Sequence, residues 1–264
     1  MNIIFRELKA NCKGFLIWTI SLALLFFAAS AEYSVFAGND AVADALDSPT
    51  IQIMFQALGV DKIDMMSPEG YLSIMSFYIY LPLAIYAANI GSSIISKEER
   101  DKTAEYLFTL PVTRKKVLVS KLLVAIFYTL SLTIVLLIFC LWAFGRIATS
   151  DNFAPFIRNL TLGVFLTQMV FLSIGLLLSS VLKQYKKSGS ITLGILITTF
   201  MMSMLTQITD KVDFLIYFTP FQYFNVNNML IGVFPTEFII ITIGIVVSCT
   251  AGMFYFYNKR DLYI

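Results

Sequence analysis

KEERDKTAEYLFTLPVTRKK, residues 97–116, breaks a long apolar stretch with a dense run of charges of both signs. The runs on either side are uncharged over 71–96 and 122–145, each long enough to cross a bilayer, for which about 20 residues are needed. The charged segment therefore lies outside the hydrocarbon, as a loop between two spans. Working outward from it, six apolar runs emerge, at roughly 15–37, 71–96, 117–145, 159–182, 188–208 and 238–257. Composition agrees. The chain is 58% hydrophobic and 14% charged, with a mean hydropathy of +0.79, whereas soluble domains carry about 25% charge. Lipid offers no partner to open backbone groups, so all six runs are expected to be helices. The predicted fold is an all-α polytopic membrane protein, a single transmembrane domain over 1–264.

The bases set an orientation. With both termini cytoplasmic, fifteen of the nineteen Lys and Arg residues fall on the inner side, among them Arg6, Lys9, Lys13, the Lys97–Lys121 cluster, Lys183, Lys186, Lys187, Lys259 and Arg260. Only Lys62, Arg146, Arg158 and Lys211 remain outside. The positive-inside rule favours that topology, and Trp18, Trp142, Tyr255 and Tyr257 are placed as interfacial anchors. A net charge of +2 then reports topology and carries no expectation of nucleic acid. Two readings of the N-terminus compete. Arg6, Lys9 and Lys13 followed by an apolar run and Ala29-Ser30-Ala31 resemble a cleavable leader, but the run continues to Ala37, long enough to span uncleaved. Residues 2–13 are expected to form a separate helix lying in the inner interface, with Ile4, Leu8 and Cys12 on one side; a frayed basic terminus is the alternative. Cys12, Cys140 and Cys249 are odd in number and widely spaced, so no disulfide framework or metal pair is implied.

The segments expected on the outer side differ from each other. Residues 38–70 are acidic around an apolar middle, Ile51–Leu58, and Ser67 with Pro68 reads as the cap and first turn of the second span. Residues 209–237 are rich in Phe and Tyr but broken by Pro220 and three asparagines, which suggests re-entrant or surface-lying helices; an outer cap that merely packs is the other reading. Inside the spans, Pro82 is expected to kink the second. The fifth, with Thr192, Thr198, Thr199, Ser203, Thr206 and Gln207, is the most polar. Its hydroxyls either line a path or bond their own backbone. Gly244, Ser248 and Gly252 form a small-residue stripe on the sixth span, read as packing within the subunit. Met201, Met202 and Met204 suit adaptable packing better than a soft-metal site.

Several chemistries are missing. The chain has no histidine, which removes His-based metal sites and the nucleophile arrangements that depend on His as base. No Gly-x-x-x-x-Gly-Lys-Ser/Thr loop occurs, so ATP is not held in that manner. Only Glu32, at the outer end of the first span, offers an acid to a proton relay. No catalytic, cofactor or metal residues are assigned. Energy for any uphill transport is expected from a partner.

The 97–121 segment parses as a receiver for that energy. Thr103–Leu110 can form a short amphipathic helix with Leu107 and Phe108 apolar and Glu105 exposed; Pro111 ends it, and Thr113 caps the helix that climbs into the third span. Apolar residues in a cytoplasmic loop point to docking, centred on Glu98, Glu99, Glu105, Leu107, Phe108 and Arg114. The same residues resemble the inner loop of permease subunits of type-2 ATP-binding-cassette exporters. That loop has an acidic pair, then Thr or Gly, Glu-x-Leu-x-x-Leu-Pro-[Val/Ile]-[Ser/Thr]-Arg, and a basic residue leading into the third span. Here it is Glu98-Glu99, Thr103, Glu105, Leu107, Leu110-Pro111-Val112-Thr113-Arg114 and Lys121, with Lys102-Thr103 where the family has Gly-Thr. Ser67-Pro68-Glu69-Gly70-Tyr71 and Thr219-Pro220-Phe221-Gln222-Tyr223-Phe224 extend the likeness over essentially the whole chain.

The resemblance implies a coupling helix in this loop, a separate cytoplasmic ATPase that holds ATP and Mg, and a second permease subunit, identical or paralogous. The expected setting is a bacterial plasma membrane, with membrane lipid as the surrounding partner and no nucleic acid. Asn89, Thr198, Ser203 and Gln207, polar residues in apolar spans, are the candidates for a translocation path between subunits. With no buried charge cluster to coordinate an ion, the expected cargo is amphipathic: peptide, lipid or drug. An ion-coupled secondary carrier and a non-transporting membrane anchor or sensor are the competing functions.

Overall fold

The computed structural model describes residues 3–37, 39, 48–58, 66–97, 113–148, 150–182, 185–208, 210–230, 232 and 234–259. Regular structure among these residues is entirely helical. Six long helices have the length and composition to cross a membrane: α1 (Ile3–Phe36), α3 (Pro68–Ile94), α4 (Arg114–Phe144), α5 (Phe153–Val181), α6 (Tyr185–Ile208) and α9 (Thr236–Lys259). Shorter pieces join them: α2 (Pro49–Leu58), a 3-10 turn over Asp210–Phe218, α7 (Pro220–Tyr223) and α8 (Val226–Leu230). Two expected starts are made by the expected caps. The Ser67 hydroxyl accepts from the Gly70 amide at 3.0 Å, ahead of Pro68, and Thr113 accepts from the Lys116 amide at 3.3 Å.

Helices α3 and α5 form the centre and make the most extensive contact in the molecule. The crossing is made of small residues. A Cβ on Gly91 would sit 2.4 Å from the Leu172 carbonyl oxygen, and one on Gly175 would sit 2.8 Å from the Ser92 nitrogen. Ala84, Ala87 and Ala88 are buried on the same face of α3. Close backbone approach of this kind is how helices gain contact where lipid tails are as apolar as their side chains. The Ser179 hydroxyl reaches the Gly91 carbonyl at 3.4 Å and Ser188 of α6 the Ser92 carbonyl at 3.5 Å. Around this pair, α9 packs on α5, α1 on α4, and α6 on α3.

Three expectations are corrected. Residues 3–13 are not a separate interfacial helix: α1 runs unbroken for 34 residues, about 51 Å at 1.5 Å per residue. Its buried stripe begins with Ile3 and Glu7, and Cys12 is exposed, because the stripe follows the contact with α4 and not the hydropathy of the terminus. The Ala29-Ser30-Ala31 segment is an uninterrupted part of the same helix. Tyr257, expected as an interfacial anchor, is buried, while Tyr255 is exposed with the Lys259 ammonium 4.3 Å from its ring centre. The stripe on α9 divides: a Cβ on Gly252 would lie 2.8 Å from Leu177 Cδ1 of α5, whereas Gly244 faces open space.

Candidate functional site

The first turns of α1, the last turn of α9 and the described residues on either side of 98–112 meet at one end of the bundle. Of the proposed docking residues, Glu98, Glu99, Glu105, Leu107 and Phe108 lie outside the described residues. The positions that hold the loop's ends are described. Lys121, on the second turn of α4, is 1% exposed. Its ammonium donates to the Ile94 carbonyl, one of the carbonyls left open at the end of α3, and lies 3.7 Å from a carboxylate oxygen of Glu7. Glu7, 2% exposed, also pairs with Arg6 at 3.0 Å, and its second oxygen has no hydrogen-bond partner among the described residues. The Tyr128 hydroxyl donates to the Leu8 carbonyl, and Phe15 packs on the Tyr128 ring.

One lysine thus joins three elements, the N-terminal turns of α1, the last turn of α3 and the start of α4. Two buried ions are tolerated because each has the other and further polar partners. On the far side, the Arg114 guanidinium donates to the Asn258 carbonyl near the end of α9 at 3.5 Å. Arg114 therefore contacts its own chain in this state.

The opposite end is uncharged at its centre. The Gln207 amide donates to the Gln222 side-chain oxygen at 2.7 Å, Asn225 donates to the same oxygen at 3.3 Å, and the Gln222 amide donates to Thr206 at 3.0 Å. Gln222 comes from the Thr219–Phe224 motif, whose Pro220, Phe221 and Tyr223 are buried. The Tyr80 hydroxyl donates to the Phe224 carbonyl at 3.4 Å. Tyr80, Gln207, Phe221, Gln222, Phe224 and Asn225 border a cavity of about 70 Å³ between α3, α6 and the α7–α8 segment. Ser203 and Gln207, both path candidates, line it.

Asn89 lies elsewhere, on a cavity of about 150 Å³ between α1 and α3. Thr198 is exposed and borders neither cavity. The hydroxyls of Thr192, Thr199, Ser203 and Thr206 each reach a carbonyl three or four residues back, at 2.7–2.9 Å. The four path candidates are therefore not brought together within one subunit.

Polar side chains outside the sequence-derived set are also buried in the bundle. Thr133 donates to Gln168 Oε1 at 2.7 Å, and Gln168 reaches the Leu83 carbonyl at 3.4 Å, linking α4, α5 and α3. The Asn159 amide donates to the Met229 carbonyl at 3.0 Å and fixes α8 to α5. They carry no charge and lie outside the fifth span, where polar residues are densest. The usable signal was an uncharged amide standing alone in an apolar run. Among the described residues no group of three or more His, Cys, Asp or Glu could hold a metal.

A family model described as "ABC-2 family transporter protein" matches residues 1–262. A search of curated proteins found no match.

Proposed function

The chain belongs to the ABC-2 family of transporter proteins, and on that premise we propose that it is the membrane-spanning subunit of an ATP-driven exporter of amphipathic cargo, a peptide, lipid or drug. Two copies, or this chain and a paralogue, enclose the path. Separate cytoplasmic ATPase subunits, which carry ATP and Mg, grip the 97–121 loop through Glu98, Glu99, Glu105, Leu107 and Phe108, with Arg114 at its base.

The observation that carries this reading is the anchoring of the loop's ends. Lys121 ties α3, α4 and α1 together, and Arg114 reaches the end of α9. A push on the loop then moves four helices instead of bending a tether. The basic residues gathered at that end favour it as cytoplasmic. Neither of the two cavities described above, of about 70 and 150 Å³, reaches the roughly 300 Å³ of a drug-sized site, so neither serves as the path by itself.

The test is reconstitution in vesicles with and without the cassette ATPase. Flux of an amphipathic reporter should require both ATP and the ATPase. Leu107→Ser with Phe108→Ser should cut ATPase recovery by about tenfold or more, as for the loss of apolar anchors at an interface, with membrane insertion unchanged. Transport by the chain alone, driven by an ion gradient, would replace this reading with a secondary carrier.

A further inference from the structure

The hydrogen bonds around the 70 Å³ cavity between α3, α6 and the α7–α8 segment fix the direction in which each polar group donates. Thr206 gives its one hydroxyl proton to the Ser203 carbonyl at 2.8 Å, so it can only accept from the Gln222 amide at 3.0 Å. Gln222 therefore turns its carbonyl oxygen towards Gln207 and Asn225, and both donate to it. Gln207 uses one amide proton in that bond and keeps the other. Its own carbonyl oxygen has no partner among the described residues and is not sealed from contact. The side chain is half-buried and lines the cavity.

The hydroxyls of the lining donate elsewhere. Ser76 donates to the Ser73 carbonyl at 2.6 Å, Ser203 to the Phe200 carbonyl at 2.7 Å and Tyr80 to the Phe224 carbonyl at 3.4 Å. Each is left as an acceptor. No lining residue is charged. Aromatic rings make much of the remaining wall, where Phe200 has the ring centres of Phe77 and Phe221 at 5.2 and 5.1 Å. A charged group would enter without a counter-ion, at high cost. A purely apolar group would leave the Gln207 oxygen and proton unpaired. An uncharged amide avoids both, with an N–H for the oxygens, a carbonyl for the Gln207 proton and a flat face for the rings. The volume admits a group of a few heavy atoms, one amide and not a whole cargo molecule.

We propose that this cavity is a subsite for one uncharged amide group of a peptide, the peptide N–H donating to Gln207 Oε1. The proposal rests on the reading of the chain as an exporter of amphipathic cargo, and it narrows that cargo to peptides.

The test uses the purified full chain in vesicles without any ATPase. The probes are an uncharged, capped tripeptide of apolar residues bearing a diazirine, and the depsipeptide whose central N–H is replaced by an ester oxygen. The tripeptide should label 200–207 and 221–226 above every other segment, and the depsipeptide about fivefold less, the loss of one hydrogen bond. Gln207→Leu should bring the two probes to equal labelling, because the coupling between the N–H and its acceptor is gone. The comparison of probes on the unaltered chain depends on no variant. Equal labelling by both probes on that chain, labelling spread evenly over the six spans, or stronger labelling by the uncapped, positively charged tripeptide overturns the site. ATP-driven flux of an amide-free amphipathic reporter, with the labelling pattern absent, overturns the site and leaves the exporter standing. The labelling pattern without ATP-driven flux of any reporter overturns the exporter and leaves the site.

Discussion

Helices α5 and α9 have nearly the same hydropathy, yet 67% of the most apolar stretch of α5 is buried against 11% of that of α9. Hydropathy decided that both cross the membrane. It could not decide which lies inside, because lipid tails and leucine side chains are equally apolar and no transfer energy separates the two places. Small and hydrogen-bonding residues make the difference. Gly175, Asn159, Thr167, Gln168, Ser173 and Ser179 of α5 are buried against neighbours; α9 contributes only Thr242, Met253 and Tyr257 to the buried set. The inner helix is recognised by the groups it could not leave in lipid.

The sharpest way to break this contrast is to spoil the α3–α5 crossing. A Cβ on Gly175 meets the backbone of Ser92, Ala88 and Gly91 at 2.8–3.1 Å, and backbone cannot rotate away as a side chain can. Gly175→Leu is expected to destabilise by about 3 kcal/mol or more, read as loss of monodisperse protein and of a thermal transition in detergent. A variant as stable as the parent would mean that the two helices are not held at this spacing.

Next in size is the ion pair at the terminus-bearing end. Glu7→Ala removes the carboxylate beside the buried Lys121 ammonium, and breaking a buried pair costs roughly 3 kcal/mol. Glu7→Leu combined with Lys121→Met should recover most of that stability, since an apolar pair needs no charge compensation. The double variant should nonetheless lose ATPase-stimulated transport if the junction carries force to α1. Thermal unfolding and flux, measured on the same preparations, separate the two roles. Full flux in the double variant would reduce the junction to a packing element.

Gln168→Leu is a smaller perturbation. It removes the bonds to Thr133 and Leu83, and interhelical hydrogen bonds in membranes average about 0.6 kcal/mol with a maximum of about 1.7 kcal/mol. A loss near 1 kcal/mol is expected, with Thr133→Val showing little further effect in the Gln168→Leu background. Additive losses would place the two side chains in separate interactions.

The sequence made the six spans and the Ser67 and Thr113 caps legible, because bilayer thickness and capping chemistry act on contiguous residues. The partner of each helix was not legible. Glu7 sits in a basic terminus with nothing local to mark it, yet it meets a lysine 114 positions away along the chain. Gly91 and Gly175 carry no special spacing within their own helices, and their role exists only when the two backbones meet. Ser203 and Gln207 were identified from polarity, but Gln222, which joins them at the cavity, comes from a motif read as part of an outer segment. Local rules found the elements; long-range pairings set the site.

The smallest effect tests the small-residue stripe of α9 itself. Gly244 and Gly252 are indistinguishable by spacing, but only Gly252 is approached, by the end of the Leu177 side chain at 2.8 Å. That side chain can rotate, so Gly252→Leu should cost about 1 kcal/mol. Gly244→Leu adds its side chain to open space and should change subunit stability by less than about 0.5 kcal/mol, as for a surface substitution. The comparison needs both variants in one detergent, unfolded as separated subunits. Equal losses would mean that α9 packs along its whole stripe and is as much an inner helix as α5. A loss for Gly244→Leu that appears only in the assembled transporter, and vanishes in separated subunits, would assign its face to contact with another chain.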